Sequence, residues 1–154
     1  MNKRLLILVI FIGLILIGCS NEGLLGGKPP KAFVEIDNER FETTLGTYCW
    51  QGGGKGTCID TAGPIELLEG KKPIQVKPGE NLTFVMDYEP KPNEFHVVQM
   101  SENKETEVVV KDNHFTAPTQ KGVYYYSYGV WWMDEKEENL SHGDAFYAFV
   151  LEVN

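Results

Sequence analysis

Apolar residues are distributed along this chain in two contrasting ways. From residue 5 to residue 17 they run as LLILVIFIGLILI with no polar position, whereas beyond residue 31 they come in short aromatic or β-branched segments parted by Gly, Pro, Asn and Asp. The second pattern is that of strands in an antiparallel sheet. It is clearest in NLTFVMD at 81–87, where Leu82, Phe84 and Met86 share one face and Asn81, Thr83 and Asp87 the other. Nine strands are predicted, over 32–37, 41–50, 56–61, 74–77, 81–88, 95–101, 106–111, 123–130 and 145–153. Turn residues precede two of them, KPGE at 77–80 and PTQKG at 118–122. The one helical segment is PIELLE at 64–69, a connector of a turn or two with Pro64 suited to a first helical position. Seven to nine short strands and at most one short helix predict an all-β domain, an antiparallel two-sheet β-sandwich. There is no internal repeat.

The densest aromatic run is VYYYSYGVWW at 123–132. Strand alternation puts Tyr124, Tyr126, Tyr128, Val130 and Trp132 on one face and Tyr125, Ser127, Gly129 and Trp131 on the other. The closing strand is apolar on both faces, with Ala145, Tyr147, Phe149 and Leu151 opposed to Phe146, Ala148 and Val150, which predicts a central strand paired with the aromatic one. Between them lies an acidic segment, MDEKEENLSHGD at 133–144. Long loops of a sandwich are where binding residues are displayed. One reading makes Tyr126, Tyr128, Trp131 and Trp132 an exposed contact platform for a sugar, a peptide or another cell-envelope component. The other makes these rings the core, since large aromatics are often buried.

The apolar run at 5–17 follows Lys3 and Arg4 and ends in LIGC at 16–19 before the chain turns polar. It is too short for a spanning helix, which needs about 18 or more apolar residues, and has the layout of a secretory signal. The cysteine directly after the small residue resembles a bacterial lipoprotein signal. The resemblance implies that residues 1–18 are removed and that Cys19 carries a lipid, holding the protein on the extracytoplasmic face of the cell membrane. An uncleaved N-terminal anchor is the alternative, and it gives the same address. SNEGLLGGKPPK at 20–31 is rich in Gly, Pro and small polar residues, so 19–31 are expected to form a flexible tether and 32–154 one folded domain. VKPGENLTF, PTQKGVYYYSY and AFYAFVLEV resemble strands of bacterial Ig-like surface domains. TYCW together with YYYSYGVWW is similar to a group of uncharacterised Gram-positive lipoproteins, which implies an Ig-like fold and an address but no activity.

Without residues 1–18, which hold Lys3 and Arg4 and no acid, twelve basic side chains face 22 acidic ones, a net charge of −10. Such a surface is repelled by nucleic acid and by anionic headgroups. Two cysteines remain besides Cys19, in CWQGGGKGTC at 49–58. Outside the cytoplasm a lone pair is expected to be oxidised. The glycines permit a hairpin turn that brings Cys49 and Cys58 together as a disulfide. A phosphate loop would need Ser or Thr after Lys55, where Gly56 stands. A zinc clip would need further Cys or His nearby, and a redox pair is more often Cys-x-x-Cys.

Chemistry beyond this is sparse. The three histidines are His96, His114 and His142. SHGD at 141–144 holds triad residue types, but adjacent residues on a loop do not readily make that geometry. A late strand followed by His142 is faintly similar to blue-copper proteins, yet the required late cysteine is missing. A metal-delivery role would have to use His96 or His142 with Met100 or Met133. The acids at 134–138 lack the oxygen spacing of a calcium loop. The sequence therefore leads to a non-catalytic binding module of the cell surface, without cofactor, whose partners are the membrane through its lipid and a cell-envelope protein, peptide or glycan.

Overall fold

The structure, a computed structural model, describes residues 23–101 and 104–154. The expected signal at 1–18 and the expected lipidation site Cys19 lie outside the described residues. In chain order the elements are β1 (Phe33–Ile36), β2 (Glu39–Glu42), β3 (Thr44–Gly52), β4 (Lys55–Ile59), α1 (Pro64–Leu67), β5 (Ile74–Val76), β6 (Asn81–Val85), β7 (Glu94–Ser101), β8 (Lys104–Glu107), β9 (His114–Thr116), β10 (Gly122–Met133) and β11 (Ser141–Val153). They form two sheets, one ordered β2-β1-β6-β9 and one ordered β4-β3-β11-β10-β7-β8 with β5 added in parallel beside the end of β11. The domain is an all-β sandwich. Its central pairings, β1-β6-β9 across from β7-β10-β11, follow an Ig-like plan onto which the β3–β4 hairpin adds an edge. Near the start of β10 the Tyr124 hydroxyl donates to Gln120 O at 2.8 Å, tying the strand to the turn that precedes it.

Among the described residues eleven strands stand where nine were expected. The 41–50 segment contains parts of two, because the chain changes sheets at Thr43, whose N–H and Oγ1 both donate to Ala32 O at 3.0 and 2.7 Å. Both β2 and the one further addition, β9, follow tight turns at Asp-Asn pairs. Asp37 and Asn38 have φ of 48° and 68°, Asp112 and Asn113 of 51° and 64°, the left-handed geometry that lets adjacent strands turn back on themselves. The strand expected over 106–111 lies at 104–107, and the acidic loop shrinks to 134–140 because β10 and β11 both extend into it.

The inward faces are those of Tyr124, Tyr126, Tyr128, Val130 and Trp132 on β10 and of Ala145, Tyr147, Phe149, Leu151 and Val153 on β11. They meet Leu82, Phe84 and Met86 of the small sheet, so the alternation read at 81–87 is the packed side. Phe84 stacks between Phe115 and Tyr128, with ring centroids at 4.7 and 4.0 Å. Tyr126 stacks on Phe149 at 4.7 Å and donates to Gln99 Oε1 at 2.9 Å. On the outer side Leu68, just past α1, packs with Ala148 and Val150 in a second, smaller apolar cluster, with the partly buried Leu67 of α1 and Tyr125 against it.

The expected tether is folded over part of its length. Leu24 is only 6% exposed and belongs to the main core, and the Tyr147 hydroxyl donates to Pro30 O at 2.6 Å. The folded body therefore takes in Leu24 and Pro30, ahead of the start expected at 32.

Candidate functional site

Cys49 and Cys58 sit directly opposite each other in the β3–β4 hairpin and are joined as a disulfide. Gly53 and Gly54 make its turn with φ of 61° and 77°, conformations that side chains other than glycine rarely accept. The pair is a staple on the added edge and not a reactive centre.

Three of the four rings expected to form a platform are in the core. Tyr126 is 0% exposed, Tyr128 5% and Trp132 3%. Burial raises the Tyr128 phenol to about 12 and pushes those of Tyr126 and Tyr147 well above the usual tyrosine range, because a phenolate is disfavoured away from water. Trp132 donates Nε1–H to Pro90 O at 2.7 Å and packs edge-on against Trp50 at 4.8 Å. These residues cannot touch a ligand while the sandwich is closed. The correction has a simple cause, since alternation defines two faces and the second sheet covers the one with more rings.

Trp131 is different. It points outward, half-buried, with its ring edge-on to Phe146 at 5.4 Å. Both rings lie over Gly129, where a Cβ would come within 2.8 Å of Phe146 and 2.9 Å of Trp131. A side chain at position 129 would lift this pair from the sheet. Register places Asp144 of β11 and Glu94 of β7 on either side of Trp131. Asp144 Oδ1 accepts the Cys49 N–H at 3.2 Å, which ties it to the stapled hairpin.

Beside Phe146 the outer face sinks into an apolar groove of about 310 Å³. Gly46, Ser127 and Ala148 line its sheet side, and Pro64, Leu67 and Phe146 line its walls. The bare Gly46 eases the close approach of α1, because a Cβ there would stand 3.2 Å from Leu67 Cδ2 and from Phe146 O. Thr47 and Thr61 edge the groove and bond each other, the Thr61 N–H donating to Thr47 Oγ1 at 3.1 Å. Phe146, Gly129 and the α1 wall were not singled out by sequence reasoning. Their signal was the outward set of each alternating strand, which becomes meaningful only once the inward set is known.

The four residues of a metal reading are not drawn together. His96 is exposed on β7, 3.4 Å from Glu107, and Met100 lies four residues along the same strand, roughly 13 Å away at the rise of a β-strand. Met133 and His142 are at the end of the β10–β11 hairpin. The His142 imidazole is engaged there with Asp134 Oδ2 at 2.9 Å, while Asp134 Oδ1 accepts the N–H groups of Lys136 and Glu137 at 2.7 Å each. These backbone donors, then His142, hold the Asp134 carboxyl below its ordinary value. Among the described residues no group of three or more His, Cys, Asp or Glu is placed to hold a metal ion, and no helix is long and apolar enough to cross a membrane.

Compared with known proteins, the chain matches no family model, no curated protein and no solved structure.

Proposed function

We propose that this protein is a lipid-anchored, non-catalytic interaction module of the cell surface, and that its contact surface is the outer face of the larger sheet. The observation that carries the reading is the half-exposed Trp131–Phe146 pair beside an apolar groove, with Glu94 and Asp144 flanking the indole. An indole between carboxylates attracts a cation by its π-face and by charge, and the groove accepts an apolar side chain. A cell-envelope protein segment that carries Lys or Arg next to an aliphatic residue fits both. The address rests on the leader and on LIGC at 16–19.

Photo-crosslinking on intact cells tests this. A benzophenone amino acid in place of Ser127, inside the groove, should yield a discrete adduct that disappears when Trp131→Ala or Phe146→Ala is added. The same probe at Lys121, at the other end of β10, should yield none. Equal labelling from both positions, or an adduct indifferent to Trp131 and Phe146, sinks the reading. Cys19→Ala should at the same time abolish labelling of the protein by a fatty-acid probe.

A further inference from the structure

Residues 24–26 are built into one end of the domain. The Leu24 N–H donates to Gln51 O at 3.0 Å, Trp50 Nε1–H to Gly26 O at 3.1 Å and the Tyr88 hydroxyl to Leu25 O at 3.0 Å. Two glycines far away in sequence make the seat. A Cβ at Gly52 would lie 2.1 Å from Gly26 O, and one at Gly143 would lie 2.6 Å from Leu24 Cδ1. Residues 24–26 are therefore a strap fixed to β3 and β11. Leu24 is inside, and Leu25 projects outward, 70% exposed. Leu25 shares a cleft of about 370 Å³ with Lys91, Asp134 and His142, so the 134–140 loop stands at the same end.

This placement changes what the leader does to the body. Cys19 is four residues before Gly23, a reach of at most about 14 Å when fully extended. β11 alone has 13 residues and spans roughly 43 Å. A body of that length on so short a connection cannot turn over. Had residues 19–31 been a free leash, their extended reach of about 40 Å would match the body and let it tumble.

We infer that the end carrying Leu25 is a docking surface for the lipid bilayer, so that the sandwich stands upright on the membrane with the outer face of its larger sheet open sideways. Leu25 is the apolar contact. Glu135, Glu137 and Glu138 of the neighbouring loop are exposed and keep that loop in the water layer, which fits a zwitterionic headgroup surface better than an anionic one. The inference rests on the anchoring part of the proposed function. It holds for a lipidated Cys19 and for an uncleaved apolar anchor alike, since both put the membrane within a few residues of Gly23.

Energy transfer measures the orientation. The full chain, extracted from membranes, is reconstituted in phosphatidylcholine vesicles that carry a dansyl-headgroup lipid. Trp50, Trp131 and Trp132 all lie towards the strap end, so their emission should transfer strongly to the dansyl group. A flexible insertion of about twelve Gly and Ser residues between Glu22 and Gly23, adding about 19 Å of leash, should lower that transfer. Lys121→Trp, which places a fourth indole at the opposite end of β10, should add emission that is not transferred. Transfer unaffected by the insertion, or as strong from position 121 as from the native indoles, overturns the inference and leaves the anchoring reading intact. A chain that does not float with the vesicles overturns both.

Discussion

Trp131 and Trp132 are neighbours in sequence, and alanine at each should have very different consequences. Trp132 is 3% exposed, packs against Trp50 and Tyr88 with centroids at 4.8 and 5.9 Å, and donates Nε1–H to Pro90 O. Truncating a fully buried tryptophan costs about 3–5 kcal/mol, and orphaning the Pro90 carbonyl adds about 1 kcal/mol. The whole domain is expected to be stable by about 5–15 kcal/mol, so Trp132→Ala removes about a quarter of it or more. Trp131 is half-buried with one ring partner, and its loss should cost about 1–2 kcal/mol. Urea unfolding of residues 23–154, with the disulfide intact, separates the two. With a slope of about 1–3 kcal/mol per molar urea, the midpoints of the variants should differ by about 1 M or more. Equal losses, or a larger loss for Trp131→Ala, would refute the assignment of inward and outward faces on β10, and with it the contact surface.

Three further outcomes follow from the same geometry. The Cys49–Cys58 bridge closes a loop with a sequence separation of 9, so its removal by Cys49→Ala with Cys58→Ala should cost about 2.7 kcal/mol in the chain-entropy model, read as a lower urea midpoint. Native protein should present no free thiol at either position. Leu24→Ala should cost about 2–4 kcal/mol in the same assay because Leu24 is in the core, whereas Leu25→Ala should stay within about 0.5 kcal/mol; the reverse order would mean that the strap is wrongly seated. Tyr126, Tyr128 and Tyr147 have folded-state values above the ordinary 10.0, so the stability they contribute is whole below pH 10 and is lost as pH rises through their folded values, about 12 for Tyr128. Phenolate absorbance of these three should therefore appear together with loss of near-ultraviolet circular dichroism, and ionisation within an intact fold would count against their burial.

Much of the architecture was written locally. Alternation at 81–87, the glycine turn between Cys49 and Cys58 and the two-sided apolar closing strand are properties of neighbouring residues, and each appears in the fold as a paired strand or a stapled hairpin. The Asp-Asn turns at 37–38 and 112–113 were equally local, but they lack the glycine that usually marks a tight hairpin, and β2 and β9 were missed with them. The change of sheets at Thr43 depends on Ala32, eleven residues back, and no periodicity records it.

The sequence alone determined an all-β chain and a disulfide hairpin, because hydrophobic period and turn chemistry are each set within a few residues. Only the tertiary structure decided which aromatic face is covered, since both faces of β10 and β11 are apolar enough to be buried and the choice belongs to the second sheet. It also decided that GLLGGKPPK is part of the body. Its composition is that of a linker, but Gly52 and Gly143 leave space where a Cβ would clash, and Trp50, Tyr88 and Tyr147 supply the donors that its carbonyls need. Those partners lie from 24 to 117 residues away, beyond the reach of any local pattern.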